Sequence, residues 1–437
     1  MTLNIADRIF YLNKLKKELL ANEDAIVEAL CNDLKKPEFE TKFFDYYIII
    51  NEINYFIKHI KKFAKKQRVA VPWYLLNTKA YLYPEPYGHV LIIGPWNFPF
   101  QLTLLPLVGV VAAGNIATIK PSEVAIHSEA LMVKIIKNVF PEEIVNIVTG
   151  GPNVTINLLK QKFDLIFFTG SAKNGKSIMR AAAEHLTPVV LELGGKNPMF
   201  VEDSTSLDLV AADICLMKFL NSGQNCQAID YLLVNEKLKT LLLEKIINCI
   251  KNFYGANPKQ SPHYGKIINK EHCQRLVEYL CDVNIIYGGD YNIEECYFSP
   301  TIVELTQTDN SIMKEEIFGP ILPIISYENL DDAIALVNRQ EKPLVLYCVS
   351  NNKLKCKKIL NSISSGGVDI NGLGNHFINW NLPFGGIGYS GMGVYHRKAS
   401  FNSFTHYKPV SETFLNVWMP IKYPPYFKNK WLFKFFR

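Results

Sequence analysis

A cysteine set among small and amide residues, Asn221-Ser222-Gly223-Gln224-Asn225-Cys226, follows an apolar-periodic stretch (Val210, Ile214, Met217, Leu220) and precedes a strand-like run at residues 231–234. That punctuation puts Cys226 on a loop, where a thiolate can meet a substrate. The bland reading is a small buried hydrophobe, as most intracellular cysteines are. Glu192 closes an apolar strand pattern just before Gly194-Gly195. A carboxylate at the carboxyl end of a strand faces a crevice, where desolvation raises its pKa toward that of a useful general base. The alternative is an ion pair with Lys196. Asn97, after Pro95-Trp96, lies on the loop beyond another strand end. Its amide could donate to a developing oxyanion, or cap the helix that starts after Phe98.

A fourth stretch, residues 167–176, runs Phe-Phe-Thr-Gly-Ser-Ala-Lys-Asn-Gly-Lys, a strand ending in a glycine turn that opens a helix. Glycines let a backbone approach phosphate, and a helix N-terminus offers it unpaired N–H groups. The pattern is neither a GxGxxG nor a P-loop, and such turns also occur with no ligand.

The elements that must position these residues follow from periodicity. Residues up to about 66 read as helices that pack on the following sheet. Residues 69–82, with Pro72, Trp73 and the alternation Ala80-Tyr81-Leu82-Tyr83, read as an extended or hairpin excursion. No charged residue lies between Val90 and Ile119, but Pro95, Pro99, Pro106, Gly109 and Gly114 break the run. It therefore reads as buried strand, loop, helix and strand rather than a membrane span. Apolar runs at 89–93, 115–119, 144–148, 164–168 and 188–191 alternate with helical stretches, which indicates a parallel sheet covered on both faces. A second round follows the Gly194-Gly195 break, with runs at 198–201, 231–234, 300–303, 321–325, 344–349 and 367–370. The expected fold class is therefore α/β, with two doubly wound Rossmann-like domains meeting near residues 192–196 and ligands at the carboxyl ends of strands. Residues 401–407 read as an edge strand.

Composition bounds the function classes. A chain of 437 residues exceeds what one core supports. Its net charge of +6 is mild and spread along the chain, so no nucleic-acid partner is expected. Nine cysteines at irregular spacings, with no CxxC pair, indicate reduced thiols in a cytoplasmic setting and no metal site. The first twenty residues carry charges throughout, as an amphipathic helix does and a signal peptide does not.

Together these segments resemble the aldehyde dehydrogenase superfamily, and most closely its class 3 branch of fatty and aromatic aldehyde dehydrogenases. The resemblance rests on PWNFP (95–99), IKPSE (119–123), FTGS followed by GK (168–176), LELGGKNP (191–198), NSGQNC (221–226), EEIFGP (315–320) and LPFGGIGYSGMG (382–393). It implies oxidation of a medium-to-long aliphatic or aromatic aldehyde with NAD or NADP. Cys226 would be the nucleophile, Asn97 with the Cys226 backbone N–H would hold the oxyanion, and Glu192 would activate water. It also implies Lys120 and Glu123 at the adenosine ribose, Gly170, Ser171 and Gly175 at the pyrophosphate turn, Glu316 at the nicotinamide ribose and Phe318 beside the ring. The division implied is a dinucleotide-binding domain at 1–192, whose 69–84 hairpin contributes to oligomerisation, a catalytic domain at 193–397, and an oligomerisation strand with a basic aromatic tail at 398–437. A homodimer is implied, with residues 401–407 and the Tyr81 region extending a neighbour's sheet.

The turn departs from the family's usual GSTxxG: Ala172 replaces a hydroxyl residue and Lys173 adds charge. Residues 372–381, rich in Asn, Gly, Phe and Trp, lie on the implied substrate side. In the tail, Lys428, Lys430, Lys434 and Arg437 interleave with Phe427, Trp431, Leu432, Phe433, Phe435 and Phe436. That pattern could lie in a membrane interface, giving peripheral membrane association, or pack over the substrate entrance or a partner subunit. Two rival activities remain open at this level. One is a dehydrogenase that passes its thioester to coenzyme A, which the presence of Glu192 argues against. The other is a cofactor-independent cysteine hydrolase, which would need a histidine base.

Overall fold

The computed structural model describes residues 2–414, apart from 76, 204, 205, 307 and 308, together with residue 424. The tail at 425–437 and its two readings lie outside the described residues. The first half supplies strands β1 (Gln67–Val69), β2 (Thr78–Pro86), β3 (His89–Ile93), β4 (Ile116–Lys120), β5 (Val145–Ile147), β6 (Leu165–Gly170) and β7 (Val189–Leu193). The second half supplies β8 (Pro198–Val201), β9 (Tyr231–Asn235), β10 (Asn284–Tyr287), β11 (Tyr291–Asn292), β12 (Tyr297–Phe298), β13 (Thr301–Glu304), β14 (Ile321–Tyr327), β15 (Val345–Val349), β16 (Gly367–Ile370), β17 (Gly391–Met392) and β18 (Thr405–Thr413).

These strands form two large sheets, in the orders β17-β7-β6-β3-β4-β5 and β10-β13-β14-β9-β8-β15-β16. Both are parallel except at one edge, where β17 and β10 run antiparallel to their neighbours. The two-round alternation read from sequence is thus the architecture, and the chain passes from one sheet to the other between β7 and β8. It returns to the first sheet at β17, whose Gly391 pairs with Glu192.

The charge-free stretch is β3, a loop, the helix Pro99–Ala113 and β4, and every residue of that helix is buried. It packs on β3 and β4 on one side and on Tyr47–Phe63 on the other. Tyr47–Phe63 presents Ile49, Ile53, Phe56 and Ile60 at helical spacing to the core, while Lys58, Lys61 and Lys62 face outward. A helix with no polar face needs such a layer on each side, and this pins its first turn, next to Asn97.

The Val69 region forms an antiparallel ladder of β1 on β2, which continues into β18 as a three-stranded sheet. The reading of residues 401–407 as a strand is corrected here: Arg397–Ser403 is a helix and β18 starts at Thr405. The physical reason is spacing, because Phe401 and Phe404, three apart, both enter the core, where Phe404 packs on Phe167. Strand alternation would have sent one of them to solvent. Among the described residues no helix is long and apolar enough to cross a membrane.

Candidate active site

The cysteine loop begins where the helix Leu207–Phe219 ends. Asn221, Ser222 and Gly223 have φ of 51°, 53° and 75°, three successive residues in the left-handed region. For the two non-glycine residues this costs on the order of 1–3 kcal/mol each, so neighbouring groups must hold the loop. The Glu40 carboxylate accepts from Asn221 N at 3.0 Å. The Asn221 amide donates to the carbonyl of Asn97 at 3.0 Å, and Gln224 donates to Asn221 O and Lys266 O. Asn197 Nδ2 donates to the Cys226 carbonyl at 2.7 Å. A methyl group at Gly223 would overlap the Gly319 carbonyl, so the loop packs directly on the 316–320 segment. The amides around the cysteine are structural ties, and Cys226 is left partly exposed with its thiol 3.9 Å from Asn225 Oδ1. Burial, then the charges of Glu316 and Glu192, push the thiol well above its ordinary pKa.

Asn97 does not cap the helix that follows it. The N-cap is Phe98, and no side-chain cap bond is made there. Asn97 Nδ2 donates to Gln224 O at 3.1 Å, which uses one of its two N–H groups and leaves the other without an acceptor among the described residues. Its position is fixed by a buried ion pair. Lys36 Nζ lies 2.7 Å from Asp45 Oδ2, 3.0 Å from the Asn97 carbonyl and 3.9 Å above the Phe98 ring, while Asp45 Oδ1 accepts from Gln101 N. Both side chains of this pair are fully buried. Asp45→Ala is therefore expected to destabilise the protein by about 3–5 kcal/mol, because it strands an ammonium in the core. Chemical denaturation checks this, and the double variant Lys36→Met/Asp45→Leu should lie much closer to the parent.

Glu192 ends β7 opposite Thr169 on β6 and Gly391 on β17. It is buried, and among the described residues neither carboxylate oxygen has a hydrogen-bond partner. Lys196 pairs with Asp230 instead and donates to the carbonyls of Ile312 and Glu315, which settles against a Glu192–Lys196 ion pair. With no cation to offset it, desolvation raises the Glu192 pKa well above the usual carboxylate range. The charged form will take a proton readily.

The Glu316–Phe318 segment is clamped by its backbone. Arg275 donates to Ile317 O at 2.7 Å, and Asp230 accepts from Ile317 N at 2.9 Å. Phe318, at φ 49°, sets its ring edge-on to Trp96 with centroids 5.3 Å apart. The Glu316 carboxylate lies against the backbone at Gly194 and Gly195, where burial raises its pKa to about 8.

These pieces converge on one cavity of about 550 Å³. Its lining includes Asn97, Gly170, Ser171, Glu192, Cys226, Glu316 and Phe318. Lys120, Glu123 and Gly175 are not in that lining. Lys120 Nζ pairs with Glu123 at 2.7 Å beside the end of β4, and Gly175 allows the helix Ala172–Ala183 to pack on Leu193 of β7. A smaller apolar recess of about 70 Å³ touches Cys226 from the other side, between Phe44, Phe98, Met217 and Phe377. The cysteine therefore stands where a large cleft and a greasy recess meet.

Several lining residues escaped the sequence reading: Thr169 and Tyr395, whose buried hydroxyls have no partner among the described residues, and His272 and Arg275. Only Thr169 carried a signal, its place inside the FTGS turn. Ser171 caps its helix by accepting from Asn174 N, and Ala172 and Lys173 at the same helix start line the cavity. An orphan hydroxyl, a helix N-terminus and basic side chains suit a nicotinamide dinucleotide. Among the described residues no cluster of ligands for a metal ion exists.

A sequence model of the aldehyde dehydrogenase family matches residues 1–410. The chain belongs to the aldehyde dehydrogenase family. This aldehyde dehydrogenase is 41% identical to the 4,4'-diaponeurosporen-aldehyde dehydrogenase of Staphylococcus aureus, over 100% of this chain and 96% of that protein. It is also 41% identical to the dimeric NADP-preferring aldehyde dehydrogenase of Mus musculus, over 91% of this chain and 88% of that one. Its fold superposes on the substrate-bound state of Staphylococcus aureus AldH with a TM-score of 0.97, covering 100% of this chain and 96% of that structure at 41% identity.

Proposed function

We propose that this aldehyde dehydrogenase oxidises apolar aldehydes to carboxylic acids with NAD or NADP, through an acyl thioester on Cys226 that is hydrolysed with Glu192 as base. The observation that carries this reading is the opening of one cavity onto a thiol, a free amide N–H and an unpartnered carboxylate. The thiol gives up its proton to solvent before the attack, and Glu192 is kept for the later hydrolysis. Sulfur attacks the aldehyde carbon, and the carbonyl oxygen becomes an oxyanion held by Asn97 Nδ2 and the Cys226 backbone N–H. Such a donor contributes about 3 kcal/mol. An oxidised nicotinamide held by Thr169, Glu316 and Phe318 would supply the hydride acceptor for this carbon. Glu192 takes a proton from water, which attacks the thioester and releases the acid and the thiol.

For the cofactor we assign Thr169, Glu316 and Phe318 to the nicotinamide half, and Gly170, Ser171 and Gly175 to the diphosphate turn. The Lys120–Glu123 pair takes the adenosine ribose. Gly194→Ala tests the Glu316 assignment, because a methyl group there overlaps the Glu316 carboxylate. Since the carboxylate end can swing aside, the fold should survive with an unchanged Tm. The KM for the dinucleotide should rise about tenfold, the worth of one charged hydrogen bond.

The two-sheet architecture supports division into a cofactor domain at 1–192 and a catalytic domain at 193–397, with residues 398–437 serving oligomerisation. A homodimer through the β1-β2-β18 sheet and a cytoplasmic location complete the reading. Cell fractionation before and after truncation following Pro425 tests membrane attachment by the tail. The direct assay is NAD(P)H production across an aldehyde panel with each cofactor, and with and without coenzyme A. Acid formation without coenzyme A supports the proposal; ester cleavage without dinucleotide and no NAD(P)H would replace it with a hydrolase.

A further inference from the structure

The recess beside Cys226 is small next to the main cleft, and it reaches the surface at Leu216 and Ile378, each 47% exposed. Phe44 also lines the recess, from a π-helical turn, Thr41–Tyr46. Such turns change which residues share a helix face, and they recur at functional sites. Here the turn sets three aromatic rings in a row. Phe43 meets Phe44 edge-on with centroids 5.0 Å apart, and Phe39 stacks on Phe43 at 5.7 Å with 7° between their planes. Phe39 is 73% exposed and Phe43 46%. The polar side of the turn is tied down, Lys42 pairing with Glu38 at 2.8 Å and Glu23 at 3.1 Å. Asp45 is held from behind by Lys36. Phe43 and Phe39 thus extend outward, ring against ring, from Phe44, which lines the recess that also touches Cys226.

Resting on the aldehyde oxidation proposed above, we infer that Phe39 and Phe43 form an outer subsite for the hydrocarbon chain of aldehydes too long for the recess. The reacting carbon sits at Cys226, the first part of the chain fills the recess, and the remainder passes Phe44 and lies along the two exposed rings. Neighbouring flat rings suit an extended saturated or polyene chain and offer no polar group to recognise. Short aldehydes end inside the recess and never reach them.

The test compares kcat/KM for hexanal and hexadecanal, delivered from cyclodextrin, in the full chain and in Phe39→Ser/Phe43→Ser. Both positions are exposed, so the variant should fold, and Phe39→Trp/Phe43→Trp provides a second variant that keeps the apolar strip. The subsite predicts a loss of about tenfold for hexadecanal, no change for hexanal, and recovery in the Trp variant. Equal losses for both aldehydes, or no loss for hexadecanal, overturn it. A loss seen only when hexadecanal is delivered in phosphatidylcholine vesicles overturns it in favour of a membrane contact. A change in sedimentation coefficient between parent and variant overturns it in favour of a second copy. Disappearance of the effect in a chain ending at Pro425 overturns it in favour of the tail. If the parent oxidises no aldehyde of either length, the proposed function fails rather than the subsite.

Discussion

Cys226→Ala is expected to lower aldehyde-dependent NAD(P)H formation by on the order of 10⁴-fold or more, since no other thiol lines either cavity. The loss should be in kcat. The Cys226 side chain makes only a long thiol contact with Asn225 Oδ1 at 3.9 Å, and the loop is held through Asn221, Gln224 and the Cys226 carbonyl. Alanine keeps the loop ties, so Tm and dinucleotide affinity should stay near the parent's. Steady-state assay with a dinucleotide titration checks both halves. A variant that lost cofactor binding as well would make Cys226 a structural residue.

Glu192→Gln should separate the two chemical stages. One turnover of NAD(P)H per site should still appear, while steady-state turnover falls by about 10²–10⁴-fold, the usual worth of a general base. In the parent, hydrolysis should accelerate as pH rises through the elevated pKa of Glu192, because only the carboxylate can take a proton from water. That limb of the pH profile should flatten in the Gln variant.

Stability gives an independent check on the same shift. A carboxyl whose folded pKa lies above its unfolded value binds more protons when folded, so its contribution is complete below the unfolded pKa and lost as pH rises through the folded one. The Gln variant should therefore melt above the parent at neutral and alkaline pH, and the gap should close below the ordinary glutamate value of 4.5. Thermal melts of both proteins across pH would show it.

Much of this site was legible because its residues end strands. Glu192 and the Gly170-Ser171 turn sit at the carboxyl ends of β7 and β6, and Asn97 lies just past β3, where a parallel sheet collects its ligands. Cys226 was legible through the amides around it, and the structure shows those amides holding a loop with three successive positive φ angles. Periodicity could not report pairings between distant residues. Lys196 finds Asp230 rather than Glu192, four residues from it, and Lys36 reaches Asn97 from the N-terminal helical layer. Tyr395 and His272 line the cleft from segments whose patterns gave no hint of it. Phe401 was misjudged because a short apolar run supports alternation and helical spacing equally until the core on one side is known.

The claim on which the account turns is that the substrate becomes bonded to one sulfur. Mixing Glu192→Gln with hexanal and oxidised dinucleotide, quenching in acid and measuring the mass of the peptide bearing Cys226 tests it directly. The account predicts that this peptide gains one hexanoyl group in place of a hydrogen, in near-stoichiometric amount, and that the adduct is absent without dinucleotide. Stoichiometric NAD(P)H with Cys226 unmodified, or with the acyl group on another residue, would contradict it.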